Sequence, residues 1–67
     1  MSNRRNYTDN ALETFAEDMS NGEIELLVAG GVIPAHLAEL EPNLRGSDVS
    51  RLIELAKGEH KKRKVLA

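Results

Sequence analysis

His36 and Glu39 stand three residues apart in the run Ala35-His36-Leu37-Ala38-Glu39-Leu40. That spacing places an imidazole and a carboxylate on one face of a helix. Such a pair is half of a metal site or an acid/base couple; it is also an ordinary solvated i,i+3 pair, and the rest of the chain favours the plainer reading. A metal centre needs further ligands. The other histidine, His60, is surrounded in sequence by Lys57, Lys61, Lys62, Arg63 and Lys64, which repel cations, and cysteine is absent. Gly30-Gly31 is not followed by the Lys-Ser/Thr of a phosphate-binding loop, so it reads as a helix end. There is no nucleophile elbow. The expectation is a protein that is not an enzyme and uses no cofactor or metal.

Charge is divided by position along the chain. Residues 6–50 carry the acids Asp9, Glu13, Glu17, Asp18, Glu23, Glu25, Glu39, Glu41 and Asp48 against the single base Arg45. Residues 51–67 carry Arg51, Lys57, Lys61, Lys62, Arg63 and Lys64 against Glu54 and Glu59, and Arg4 and Arg5 add a small basic head. The net charge of −2 hides this division. Glu13, Glu17, Asp18, Glu23 and Glu25 are either a solvated face or a contact surface for a basic protein, where charge complementarity speeds encounter and sets register. Arg51, Lys57, Lys61, Lys62, Arg63 and Lys64 are either a solubilising end or a contact. As a contact they would neutralise nucleic-acid phosphates without reading sequence, or dock on an acidic surface.

Residues 24–44 carry a third signal. Leu26-Leu27-Val28-Ala29-Gly30-Gly31-Val32-Ile33-Pro34-Ala35-His36-Leu37-Ala38-Glu39-Leu40 resembles the helix-turn-helix of bacterial DNA-binding regulators, in which glycine opens the turn between two crossing helices. Counted from Gly31, apolar residues follow at Val32, Leu37 and Leu40, as in that family, and the Gly-Val-x-Pro-Ala wording is also similar. The resemblance implies a dimeric transcriptional regulator reading DNA through residues 35–41. The segment departs from the family in its reading helix. Base edges are read by Arg, Lys, Asn, Gln, Ser or Thr, whereas the exposed positions here are Ala35, His36, Glu39 and Glu41.

The elements that must position these groups are helical. Ala11, Leu12, Phe15, Ala16 and Met19 form one apolar stripe, with Asn10 and Glu13 expected as its capping box. Ser20 with Glu23 predicts a second box opening a helix near residue 21, and Gly22 suits a left-handed helix end just before it. Ile24, Leu26, Leu27 and Val28 make that second helix the most buried one expected; a strand over 24–28 is the competing assignment, with no second strand to pair with it. Pro34 suits the first position of a third helix with Ala35, Leu37, Ala38 and Leu40 on its apolar side. Pro42 ends it. Leu44 is expected to anchor the next loop. Ser47 and Asp48 open a fourth helix, Asp48 meeting the positive end of its dipole, with Val49, Leu52, Ile53 and Ala56 as its stripe.

The fold class predicted is a small all-α bundle of three to four short helices. Residues 1–8 are expected to be a flexible N-terminus, 9–57 the helical domain and 58–67 a basic tail, in which His60 to Lys64 either continue the last helix, as cations near its C-terminus favour, or fray by mutual repulsion. Sixty-seven residues allow one domain with a thin core. No apolar run approaches a membrane span of about 20 residues, and the opening MSNRRNYTDN lacks the apolar core of a signal peptide, so a cytoplasmic protein is expected. Tyr7 and Phe15 are the only aromatic residues, too few for a base-stacking platform. The functional expectation is a small regulatory protein, an adaptor or inhibitor. Its partner would be a larger protein of the transcription or nucleic-acid machinery, bound through the acidic helices, with the basic tail touching nucleic acid. A helix-turn-helix regulator is the alternative, and a homodimer is a further expected assembly because a thin core leaves apolar surface uncovered.

Overall fold

A computed structural model of the chain describes residues 6–66. Four helices follow one another: α1 (Asp9–Asp18), α2 (Asn21–Gly30), α3 (Ala35–Leu40) and α4 (Ser47–Leu66). Among the described residues there is no strand, so the 24–28 segment is helical. Among the described residues no helix is long and apolar enough to cross a membrane.

Local chemistry explains most boundaries. Thr8 caps α1, its Oγ1 accepting from the Ala11 amide at 3.1 Å. This corrects Asn10, which lies inside the helix; both residue types cap well, and the one whose backbone stays extended wins. Ser20 and Glu23 form the reciprocal box at the start of α2. Gly22 is therefore the second residue of α2 rather than the end of α1. Gly31 ends α2 with φ +68°, a left-handed conformation that glycine adopts without a Cβ clash. Pro34 immediately precedes α3, and the chain leaves helical dihedrals at Glu41, before Pro42.

α4 is about 30 Å long and is the wall against which both α1 and α2 pack. Leu12 and Ala16 of α1, Ile24 and Leu27 of α2, and Leu52 and Ala56 of α4 are buried together. Met19, Leu37 and Leu44 complete this cluster, the last as the expected loop anchor. The expected burial of α2 and α3 is only partly realised. Leu26 and Val32 are exposed, and of α3's apolar residues only Leu37 enters the core while Ala35, Ala38 and Leu40 face outward. A six-residue helix has one face to give to the core, and Leu37 occupies it.

Both end segments hold defined positions where the structure describes them. Residues 1–5, with Arg4 and Arg5, lie outside the described residues, but 6–8 are tied down. Asp48 is a 1% exposed carboxylate whose Oδ2 and Oδ1 accept from the amides of Asn6 (3.0 Å) and Tyr7 (3.3 Å). Tyr7 then packs edge-on to Phe15 at 5.6 Å and donates its hydroxyl to Glu41 at 2.8 Å. The segment set apart as a tail is a continuation of α4 through Leu66, and Ala67 lies outside the described residues. Cations near a helix C-terminus suit its dipole, and Glu59 offsets their mutual repulsion by meeting Lys62 at 3.7 Å and Arg63 at 2.8 Å.

The pairs Asn6–Asp48 and Asp9–Arg51 advance in step, each separated by 42 residues. α1 and α4 therefore run side by side in the same direction.

Removing the Asp48 carboxylate leaves two amides without their acceptor. Asp48→Ala is expected to lose about 1–3 kcal/mol, read as a lower urea midpoint at unchanged slope. Asp18→Ala, on an exposed position, is expected to stay within about 0.5 kcal/mol.

Candidate functional site

The five acids read as one face are distributed over several surfaces. Glu13 and Glu17, one turn apart on α1, line a cleft of about 260 Å³ between α1 and α4, opposite Glu54, Glu59 and Lys62. Asp18 points to the other side of α1, toward α3. Glu25 borders a hollow between α2 and α4 with His60, Arg63 and Lys64. Glu23 is engaged twice: Oε1 accepts from the Ser20 amide at 2.9 Å, and Oε2 meets His36 Nε2 at 2.9 Å. The Ser20 amide first and the His36 ring second hold the Glu23 carboxyl below the usual glutamate range. His36 thus pairs across helices with Glu23 rather than with Glu39. Among the described residues no group of three or more His, Asp or Glu could hold a metal ion.

The bases are also largely engaged. Arg51 forks onto Asp9, Nε to Oδ1 and Nη2 to Oδ2, both at 3.2 Å. Lys57 meets Glu54 at 3.6 Å. Arg63 reaches across to the end of α1 and the start of α2. It donates to the Glu17 carbonyl (3.0 Å), the Ala16 carbonyl (3.5 Å) and Asn21 Oδ1 (2.9 Å). A guanidinium there satisfies the last carbonyls of α1 and meets the negative end of its dipole. Arg63 is thus a structural clamp as well as a base. Lys61 and Lys64 are exposed and make no ion pair among the described residues. Charges that are far apart along the chain are adjacent in space.

What remains open is apolar. A groove of about 170 Å³ lies between α1 and α3, lined by Phe15, Met19, Leu37 and Leu40, with Asp18, His36 and Glu41 around it. Leu40 is 73% exposed beside it. Periodicity misses this groove because it assigns Leu40 to the buried side of its helix. The available signal is that Leu40 ends a very short helix between two glutamates. Of the three apolar positions behind the helix-turn-helix resemblance, Leu37 is in the core and Val32 and Leu40 are at the surface. At the C-terminal end of α4, Val65 and Leu66 are each 78% exposed.

The clamp separates structural from free bases. Arg63→Ala is expected to cost about 1–2 kcal/mol, and Lys61→Ala less than about 0.5 kcal/mol, compared by urea unfolding. Glu23→Gln is expected to lower the midpoint at neutral pH. A carboxyl whose folded pKa is depressed stabilises above its unfolded value and loses that contribution as pH falls through the folded value. The gap between wild type and Glu23→Gln should therefore close on acidification; a gap that persists at low pH would count against the cap and His36 pairing.

No protein-family model matches this chain, and no curated protein or solved structure is significantly similar to it.

Proposed function

We infer that this chain is a non-enzymatic regulatory protein that binds a larger protein, as an adaptor or inhibitor, through the acid-rimmed groove between α1 and α3. The observation that carries this reading is Leu40, a large apolar side chain left 73% exposed beside Phe15, Leu37 and Met19. Covering a leucine contributes about 1.5–3 kcal/mol, and a small interface needs one or two such anchors. Asp18 and Glu41 at the rim select a segment that is apolar with basic flanks. Glu13, Glu17 and Glu25 are exposed on other surfaces of the fold and act on a basic partner only at longer range. Basic surfaces are typical of proteins that handle nucleic acid, which makes transcription or nucleic-acid machinery the expected kind of partner. Lys61 and Lys64 supply a second contact, to phosphate.

The helix-turn-helix reading stands second. Gly31 gives α2 and α3 a turn of the required sort. The outward side of α3, however, presents Ala35, Ala38, Glu39 and Leu40, with His36 paired to Glu23, and these offer little to base edges.

Affinity capture from the native host after nuclease treatment tests the choice. A protein retained by wild type is expected to be lost with Leu40→Asp and weakened by Asp18→Lys. Equal recovery by all three would remove the groove from the account. Sequence-selective retardation of genomic fragments, steeply reduced by salt, would move the function to DNA.

A further inference from the structure

The chain carries, at the end of α4, a surface that matches its own groove. Val65 and Leu66 are each 78% exposed. With Gly58 they border a shallow apolar hollow flanked by Lys61 and Lys62. The α1–α3 groove has the opposite character, with Leu37, Leu40 and Phe15 flanked by Asp18 and Glu41. One surface is apolar with a basic rim and the other apolar with an acidic rim. Each presents aliphatic side chains that water covers poorly.

A chain cannot satisfy this match within itself. α4 is helical through Leu66, and Arg63, three residues before, is clamped to the Glu17 carbonyl and to Asn21. A clamped helical end cannot fold back to the far side of α1. Val65 and Leu66 can therefore meet such a groove only on another copy.

We propose that the C-terminal end of α4 seats Val65 and Leu66 in the α1–α3 groove of a second copy, giving weak head-to-tail self-association that competes with the partner protein for the groove. This rests on the groove being a docking surface, as the proposed function does. The contact is heterologous: the donor keeps its own groove and the acceptor its own α4 end, so chains add in one direction. Few residues take part, which places the contact among small, transient interfaces. It is also sensitive to salt, because exposed charges flank it.

Sedimentation velocity on the purified full chain alone, over a wide concentration series, tests it. Wild type is expected to show a sedimentation coefficient that rises with concentration and falls back when salt is added. Leu66→Asp alone and Leu40→Asp alone are expected to remain monomeric, with helical content unchanged by circular dichroism because both positions are exposed. An equimolar mixture of these two variants is expected to form a dimer and stop there, since one supplies the intact groove and the other the intact α4 end. A wild type that stays monomeric throughout would overturn the proposal, as would self-association surviving Leu66→Asp or a mixture that remains monomeric. No partner protein is present, so failure here leaves the capture experiment to decide the proposed function separately.

Discussion

α1 and α2 have one long surface on which to bury Leu12, Ala16, Ile24 and Leu27, and that surface is α4, where Leu52 and Ala56 are wholly enclosed. The rest of the fold follows from this shared wall. A small chain without disulfides cannot rely on a large core, so polar contacts fix how the helices lie against the wall. Asp48 near its start holds the backbone of Asn6 and Tyr7. Arg51 one turn later holds Asp9. Arg63 toward its end holds the last turn of α1 and the first residue of α2. α1 is thereby gripped at both ends by one helix.

These contacts also answer an electrostatic difficulty. Parallel helices place like ends of their dipoles side by side. Here Asp9 and Asp48 stand in the first turns of α1 and α4, and Arg63 stands where both helices finish. The charge division along the chain is thus partly spent inside the fold. It offsets aligned dipoles before it reaches any partner, and the acid-rimmed groove and the lysine-rich tip are what it leaves outside.

Much of the architecture was legible because it is local. The Ser20–Glu23 box, the Gly30-Gly31 stop and the prolines on either side of α3 each act within a few residues. The contacts that join helices were not legible, because residues 42 apart carry no mark of each other. Asp48 reads as a dipole partner, and only the fold reveals that it also holds the segment before α1. Arg63 looks like one cation among several until α1 ends beside it. Apolar runs likewise fail to say which members turn outward: Leu26 and Leu40 satisfy the pattern and remain in water. The candidate groove depends on that last ambiguity, so its acids were visible in sequence and its shape was not.

The parallel arrangement of α1 and α4 has a kinetic consequence. Two helices pointing the same way cannot be joined by a tight hairpin, so the chain between them must travel back, and α2 with α3 is that return route. The first contact of α1 with α4 closes a loop of roughly 40 residues, an entropic toll that grows with the logarithm of loop length. Such non-local closure slows folding relative to an up-down bundle of the same size.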